Sequence, residues 1–545
     1  MSGVTETYGL TKQQKAAMLG EGNLFLTACP GSGKTTSIAG RVAMLTAQGK
    51  RVALLSHTKV GAKELGESVS RDHGISLTDE SFVGTIHSFL GRYILQPFGH
   101  LLTESVVPVT MDPDEANRIY SESSSAWFRL LSRDSVECIK KQFNTAANAK
   151  AALADLLRAA KAGAVSYDDG LFWSLEVLRA YPHVTNALAS RFDEIIVDEA
   201  QDSNEKQIAV LEVLKKAGLA SLVMVGDFDQ SIYAFGGANP ARCRQAAKTM
   251  KLTPATLTEN HRASQLLCNV SAKFRSSPVP DTAVGIYETL QIPPILIKYD
   301  SKNMGDLTSR FSSLQDEYEV EGERSAILVR NNVDVNAMTG GSVKLEGIIG
   351  ALYECANGES ALSSIRELER LLIRSAGLSR SSLDRLKVRS IAYEVVMALP
   401  SLTGDAHEWA SAAASAYDNG VRNLSPAAAG ATPTRVPPNL RHVEVESLGE
   451  LSVGDHRVTT IHGTKGESVD AVMIVAGEPA ADWHTEQAKV WASPLMGSGP
   501  SAISEELRLF YVALTRARQL AVLAVPESTS VPTVQAYVRA GFVLR

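Results

Sequence analysis

The segment Ala28–Thr35, ACPGSGKT, has the residue types and spacing of a phosphate-binding loop. It follows an apolar, strand-like run and precedes a helix-compatible stretch. Gly31 and Gly33 allow backbone N–H groups to turn towards phosphate oxygens, Lys34 can reach the terminal phosphates, and the Thr35 hydroxyl can hold Mg²⁺. Alanine stands where the full pattern begins with glycine. The strand-loop-helix context predicts a site for a nucleoside triphosphate.

A second chemical signal is a pair of carboxylates at the end of an apolar run, in Ile195–Asp202. The carboxyl edge of a parallel sheet faces a ligand crevice, so Asp198 can hold Mg²⁺ and Glu199 can orient or deprotonate an attacking water. The structural alternative is an acidic helix N-cap after a buried strand. The string DEAQD is expected by chance in only about 3 of 10,000 chains of this size, which favours the chemical interpretation.

Short strands and helices alternate up to about residue 95, for example in Arg51–Ser56 and Lys59–Ser70, and this alternation predicts an α/β unit with a parallel sheet. Helix-period segments then dominate, including Asp114–Leu131 and Ala147–Ala162, until a β-like run returns at Phe192–Val197. We therefore expect a helical insertion of about 95 residues within the first sheet.

A second α/β region is predicted further along the chain, with strands at Leu296–Tyr299, Ala326–Val329, Val458–Ile461 and Val472–Val475. The stretch between residues 340 and about 438 is largely helical, and Ser360–Ser375 is its best-patterned part. A loop or flexible linker is expected at Ser425–Pro433.

Bulk composition describes an ordinary globular protein, with 545 residues, 44% hydrophobic and 21% charged. The net charge of −6 gives no global attraction to nucleic acid, so such binding requires a local groove. No apolar run or signal-like segment predicts a membrane or secretory location, and cytoplasm is the expectation. Five scattered cysteines disfavour zinc, iron–sulfur and disulfide frameworks and are expected as buried small hydrophobes: Cys29, Cys138, Cys243, Cys268 and Cys355.

Val197–Asp202 together with Val225–Tyr233 resembles the superfamily-1 helicases of the UvrD/Rep/PcrA family. Six further segments resemble that family's motifs in the same order: Leu10–Gln14, Ser56–Lys59, Val83–Phe89, Glu259–Arg262, Ile461–Glu467 and Tyr511–Arg518. The resemblance implies two RecA-like P-loop domains with parallel sheets, each carrying a helical insertion. In length and plan the chain also resembles compact UvrD-like proteins such as the helicase-like subunit of the Gabija anti-phage system.

The resemblance implies an ATP site with Mg²⁺ held by Thr35 and Asp198. Catalytic roles fall on Lys34, Glu199, Gln230, Arg262 and Arg516, where the two arginines stabilise the γ-phosphate and Gln230 couples it to the DNA groove. The implied ATP-binding residues are Gln14, Pro30, Gly31, Ser32, Gly33, Lys34, Thr35, Thr36, His261, Arg262 and Arg516. Gln14 would contact the base edge.

DNA binding needs aromatic faces on which bases stack, beside polar groups that follow phosphates. In family register Tyr233 and Phe235 supply such faces, although aromatics two positions apart are more often a strand's core face. The implied backbone contacts are Thr58, Thr85, His87 and His462.

Several positions depart from the family's pattern. His57, the remaining DNA-site candidate, stands where an aromatic is usual. Phe235 replaces tryptophan, Gly236 replaces arginine, and His261 replaces a tyrosine that covers adenine. Glu467 and Ser468 stand where the family generally has leucine followed by glutamate. The family's contact with the ribose of the nucleotide is therefore not assigned to Ser468.

The predicted domain bounds are 1–95 and 191–265 for the first lobe, 96–190 for its insertion, 266–335 and 441–545 for the second lobe, and 336–440 for its insertion. The resemblance implies an ATP-dependent 3′–5′ DNA helicase that acts on single-stranded DNA and on single-strand/duplex junctions. One alternative is a nucleic-acid-responsive regulatory ATPase with a nuclease partner, as in anti-phage defence. Another is a non-catalytic DNA-binding scaffold, which intact Glu199 and Arg516 disfavour.

Overall fold

The computed structural model describes residues 10–20, 22–75, 80–121, 146–300, 305–320, 324–331, 334–335, 338, 345, 347–357, 361–378, 384–426, 433–441, 445, 452–453, 456–477, 486–497 and 504–545. Cys138, residues 122–131 of one predicted helix and residues 427–432 of the predicted linker lie outside this part. Cys29, Cys243 and Cys268 are buried, as predicted, and Cys355 is partly buried. No helix in the described ranges is long and apolar enough to cross a membrane.

The described strands, in chain order, are β1 (Leu24–Ala28), β2 (Val52–Ser56), β3 (Phe82–Thr85), β4 (Thr110–Met111), β5 (Ala164–Val165), β6 (Glu194–Val197), β7 (Ser221–Gly226), β8 (Thr253–Leu257), β9 (Glu259–Asn260), β10 (Thr282–Ala283), β11 (Ile295–Tyr299), β12 (Ser325–Val329), β13 (Ser452–Val453), β14 (His456–Thr460), β15 (Val469–Val475), β16 (Ala517–Pro526) and β17 (Val543–Leu544).

The described α-helices are α1 (Lys12–Leu19), α2 (Lys34–Ala47), α3 (Lys59–His73), α4 (Ile86–Leu90), α5 (Gln96–Phe98), α6 (His100–Thr103), α7 (Pro113–Ser121), α8 (Ala146–Lys161), α9 (Tyr167–Ala180), α10 (Pro182–Arg191), α11 (Glu205–Lys216), α12 (Pro240–Thr249), α13 (Gln265–Ser271), α14 (Gly305–Glu317), α15 (Gly347–Asn357), α16 (Ala361–Ser375), α17 (Arg385–Met397), α18 (Ala406–Leu424), α19 (Gln487–Ala492), α20 (Glu505–Leu514) and α21 (Val531–Ala540).

The first sheet has six parallel strands in the order β3-β2-β6-β7-β1-β8. Its central strands are buried on both faces, which is why they read as continuous apolar runs rather than as alternating ones. Most of the chain between β3 and β6 is helical, with a π-helical turn at Gly91–Leu95 and the small β4–β5 pair. We call this sheet and its flanking helices the first lobe.

The second sheet has the order β13-β14-β12-β15-β16-β11-β17; the β13–β14 pair is antiparallel, and the other pairs among the described strands are parallel. Helices α15 to α18 lie between β12 and β14 in the chain and pack around their own buried core, which includes Leu352, Leu372, Trp409 and Tyr417. We call this sheet and its flanking helices the second lobe. The predicted fold class, two parallel α/β sheets each interrupted by helices, is confirmed.

A buried ion pair joins the elements around the phosphate-binding loop. Arg41 on α2 donates from Nε and Nη2 to the two carboxylate oxygens of Glu194 on β6, at 2.6 and 2.7 Å. Glu194 also accepts from the Ser221 hydroxyl at 2.7 Å. Nη1 of the same arginine donates to carbonyls at the end of α1, those of Ala17, Met18 and Gly20. Arg41 therefore fixes the loop helix against both the N-terminal helix and the strand that carries the acidic pair.

We expect the substitution Arg41→Met to lower the free energy of unfolding by about 3–5 kcal/mol, because it leaves Glu194 buried without a counter-charge. Urea unfolding followed by circular dichroism measures this. The control is Arg179→Met, which breaks an exposed pair with Glu176 and should cost less than about 1 kcal/mol. Equal losses in the two variants would contradict the assignment.

Candidate nucleotide and nucleic-acid site

Two glycines with left-handed backbone conformations shape the phosphate-binding loop. Gly31 and Gly33 have φ of +69° and +74°, which residues with a Cβ adopt at a cost. A Cβ on Gly31 would lie 2.5 Å from Cβ of Arg262, and one on Gly33 would lie 2.3 Å from Nε2 of Gln14. These two positions therefore favour glycine. The loop ends at the N-terminus of α2, where free backbone N–H groups favour an anion.

Gln14 connects the N-terminal helix to this loop. Its Oε1 accepts from the Thr11 N–H at 3.0 Å, and its Nε2 donates to the Ser32 carbonyl at 3.0 Å. Nε2 also lies 3.4 Å from Nε2 of His261. The structure therefore brings Gln14 and His261 together beside the loop, and contact of either side chain with a base stays a prediction.

The acidic pair lies at the carboxyl end of β6, opposite the loop. Lys34 Nζ donates to Oε1 of Glu199 and is 4.0 Å from Oδ1 of Asp198. Glu199 has φ of +54°, a conformation that costs a residue with a side chain about 1–3 kcal/mol. Its other carboxylate oxygen accepts from the Gln201 amide. The loop lysine and both carboxylates therefore form one cluster.

Burial and pairing shift the pKa values in this cluster in opposite directions. Burial raises the pKa of Asp198 to about 6, and the neighbouring Glu199 charge adds to the rise while Lys34 opposes it. Burial would also raise the pKa of Glu199, but Lys34 and Lys465 outweigh it and hold this pKa below its usual range. Glu199 is therefore ionised at neutral pH.

The residues predicted to hold Mg²⁺ have the chemistry that this ion needs. Asp198 Oδ1 is buried and has no hydrogen-bond partner in the described part of the chain, and Thr35 lies in the first turn of α2. Mg²⁺ is bound in nucleotide sites by one or two protein oxygens together with substrate phosphates. One buried carboxylate and one hydroxyl fit that pattern. Lys34 Nζ lies within 4.0 Å of the same carboxylate oxygen, so cation binding requires the lysine to turn away.

The two predicted arginines both lie at the junction of the lobes. Arg516, which is 2% exposed, donates from Nη2 to Gln230 Oε1 at 2.8 Å, and the Gln230 amide donates to Asp227 Oδ2 at 3.0 Å. Arg262 Nη1 donates to the Thr515 carbonyl at 2.8 Å. Burial and then the nearby Arg516 charge lower the pKa of Arg262 to about 9. A buried arginine and a partly buried one therefore lie close together, where an anion would stabilise both.

A second contact between the lobes was not predicted from the sequence. Lys465 of the second lobe donates from Nζ to Oδ2 of Asp202, and to the Gln230 carbonyl at 3.1 Å. Burial raises the pKa of Asp202 to about 6 against the opposing effect of Lys465. Asp202 and Lys465 both lie in segments that resemble family motifs. Their opposite charges are the feature of the sequence from which this contact could have been predicted.

The predicted nucleic-acid residues fall into two groups. Tyr233 and His462 lie at the lobe junction with ring centroids 6.0 Å apart, and Lys465 Nζ is 4.6 Å from the Tyr233 ring centroid. His57 is on the first lobe, with Nε2 3.1 Å from the Ser203 hydroxyl. The side chain of Phe235 lies outside the described part, so its stacking role stays a prediction.

The second group contains hydroxyls at helix N-termini. Thr58 Oγ1 accepts from the Gly61 N–H at 3.0 Å, and Thr85 Oγ1 accepts from the Ser88 N–H at 3.1 Å. Both therefore cap helices that follow strands at the same sheet edge. Thr36 is exposed and Pro30 is buried.

Tyr167 is a further aromatic on this face that the sequence did not single out. It is 49% exposed, and its ring centroid is 5.3 Å from that of His87. It begins helix α9, for which Ser166 is the N-cap. In the sequence, Ser166 followed by Tyr167 indicates the start of a helix and nothing about nucleic acid. The proximity of Tyr167 to His87 is a contact between distant segments, which no local pattern predicts.

The two-lobed α/β fold, with a phosphate-binding loop, an acidic strand end and an arginine from the second lobe, resembles that of the superfamily-1 P-loop helicases. Residues 10–157 and 132–251 match the UvrD/REP helicase N-terminal domain. The chain is 28% identical to the ATP-dependent DNA helicase UvrD1 of Mycobacterium leprae, over 47% of this chain and 38% of that protein. It is 24% identical to the ATP-dependent DNA helicase PcrA of Leuconostoc citreum, over 49% of this chain and 39% of that protein.

These similarities confirm the predicted resemblance to the UvrD/Rep/PcrA family. The matched region spans less than half the length of each relative. The relatives are named as DNA helicases, and none of these names indicates a nuclease partner.

We expect His57 to make unfolding depend on pH in a defined direction. Burial, with Lys465 adding to it, lowers the pKa of His57 to about 4. Between pH 4 and about 6.5 the folded state therefore binds fewer protons than the unfolded state, so stability rises with pH through this window and is lost as pH falls.

The substitution His57→Gln should reduce the difference in urea midpoint between pH 4.5 and pH 7. His183→Gln, at an exposed histidine, is the matched control and should leave that difference unchanged. A His57→Gln variant with the wild-type pH dependence would contradict the shift.

Proposed function

We propose that this protein is an ATP-dependent 3′–5′ DNA helicase and translocase. The observation that carries the proposal is the convergence, at one lobe junction, of Lys34, Asp198 and Glu199 from the first lobe with Arg516 from the second. Arg516 contacts Gln230, which contacts Asp227. A nucleotide bound at the phosphate loop would therefore lie between groups of both lobes.

Each group has a defined task in hydrolysis. Phosphates at the loop draw Lys34 away from Glu199, which leaves an ionised carboxylate free to orient the attacking water. Mg²⁺, when bound, would neutralise phosphate charge, with Thr35 and Asp198 as its protein ligands. Arg516 and Arg262 stabilise the charge on the leaving γ-phosphate, an effect for which one arginine is worth about 10³–10⁵ in rate.

Movement along DNA follows from the same contacts. Gln230 links Arg516 to the segment that carries Tyr233, and Lys465 lies over the Tyr233 ring while it contacts Asp202. A change at the γ-phosphate therefore reaches the stacking face through a few side chains. Tyr233 and Tyr167 offer faces for bases, with Thr58, Thr85, His87 and His462 for the backbone, and base stacking is worth about 1–3 kcal/mol per base.

We expect Glu199→Gln to lower the DNA-stimulated rate of ATP hydrolysis by about 10²–10⁴-fold, the usual contribution of a positioned acid-base group. ATP affinity, measured with a fluorescent analogue, should change by a few-fold at most. The matched control is Glu205→Gln, at an exposed glutamate of α11, which should keep wild-type turnover. Full activity of Glu199→Gln would refute its role.

Strand displacement tests the whole proposal. We expect ATP-dependent displacement from a duplex with a 3′ single-stranded tail and none from a duplex with a 5′ tail, because the family resemblance implies 3′–5′ movement along the strand. The Glu199→Gln variant is the inactive control. Displacement of the 5′-tailed duplex would contradict the polarity, and DNA-stimulated turnover without any displacement would contradict unwinding.

A further inference from the structure

A groove on the outer edge of the first lobe is not used by the proposed nucleotide site. It has a volume of about 890 Å³ and lies between α3 and β3. Strand β3 is at the end of its sheet and pairs only with β2 among the described strands. The groove is thus open along the side of the molecule rather than between the lobes.

The groove has a small-residue floor because the helix and the strand approach each other closely. Residues of α3 spaced three and four apart present one face to the groove. A Cβ added to Gly66 on this face would lie 3.4 Å from Val83 Cγ1. Gly84 lines the groove opposite it. The helix and the strand therefore meet at the floor of the groove, and an extended polymer would lie over this contact, close to the backbone at Gly66.

The walls of the groove carry more positive than negative charge. Lys59, Lys63 and Arg71 line it, against one carboxylate, Glu67. Lys63 and Glu67 form an exposed pair at 3.7 Å, which is worth little. Arg71 contacts Asp72, and the Arg71 side chain is 70% exposed. In a chain of net charge −6, three cations against the paired Glu67 and Asp72 leave a local excess of positive charge, which fits an anionic polymer as occupant.

One end of the groove meets the proposed nucleic-acid face. Thr85 and Ser88 line this end, and Thr85 is one of the hydroxyls assigned to the strand backbone under the proposed function. From Lys59 to Arg71 the helix extends for about 18 Å at ~1.5 Å per residue. That is the length of about five nucleotides at the ~3.4 Å spacing of one B-form strand.

We propose that this groove binds the sugar-phosphate backbone of the nucleic-acid strand just outside the part held at the lobe junction. The inference rests on the proposed function and extends its binding surface from Thr85 along α3 to Arg71. An edge strand can also accept a peptide strand, but the three cations along the opposite wall favour phosphates. The contact is sequence-independent, since it is made to phosphates and not to base edges.

The test uses the double variant Lys63→Ala/Arg71→Ala in the full chain. Its matched control is Lys216→Ala/Lys248→Ala, which removes the same charge from exposed lysines of α11 and α12. Binding of single-stranded oligo(dT) is measured by fluorescence anisotropy over a range of salt concentrations. Two lengths are used, about 8 and about 20 nucleotides, which bracket the usual range of site sizes.

On the longer oligonucleotide we expect the variant to bind about tenfold more weakly, with a slope of log affinity against log salt that is lower by about 1.4, or ~0.7 for each lost phosphate contact. On the shorter one, variant, control and wild type should bind alike. Equal binding of the longer oligonucleotide by variant and control, or an equal loss at both lengths, would overturn the groove assignment alone. A wild-type protein that binds neither oligonucleotide would overturn the proposed function and the groove with it.

Discussion

Buried negative charge at the carboxyl edge of the first sheet is the constraint on which the rest of the structure depends. Asp198, Glu199, Asp202 and Asp227 all lie there, and burial raises the pKa of three of them, Asp198, Asp202 and Asp227. A buried charge without a partner is costly. Lys34 of the first lobe contacts Glu199, and Lys465 of the second lobe contacts Asp202. Arg516 of the second lobe interacts electrostatically with Glu199 and Asp227. Because cations of the second lobe neutralise carboxylates of the first, this edge of the sheet holds the two lobes together.

The same constraint suits the junction to the nucleotide control that the proposed function requires. Lys34 is shared between carboxylates that need a counter-charge and a loop whose backbone N–H groups favour an anion. Under the proposed function, phosphates at the loop would compete for Lys34, Arg262 and Arg516, so their arrival and departure would redistribute the charges that join the lobes. The Glu199 backbone, at positive φ, holds its carboxylate inside this cluster at the expense of local strain.

Many strands and helices were predictable because the residue pattern that indicates each one lies within the element itself. Continuous apolar runs predicted β2, β6, β12 and β15, and their ends are within a few residues of the observed ones. Helix α3 extends three residues beyond the predicted Lys59–Ser70, to His73, where Gly74 in a left-handed conformation ends it. Contacts such as Lys465 with Asp202 or Tyr167 with His87 join segments far apart in the chain, and no local pattern encodes them.

The sequence by itself determined the chemistry available to this protein. The spacing of ACPGSGKT requires a loop at a helix start, and the acidic pair after an apolar run requires carboxylates at a sheet edge, because both depend on a few neighbouring residues. Only the tertiary structure decided which groups meet. It brought Arg516 to Gln230, made Lys34 the partner of Glu199, and left α3 and β3 with an open basic groove between them. These outcomes depend on how two sheets pack and share charge, which is a property of the whole chain.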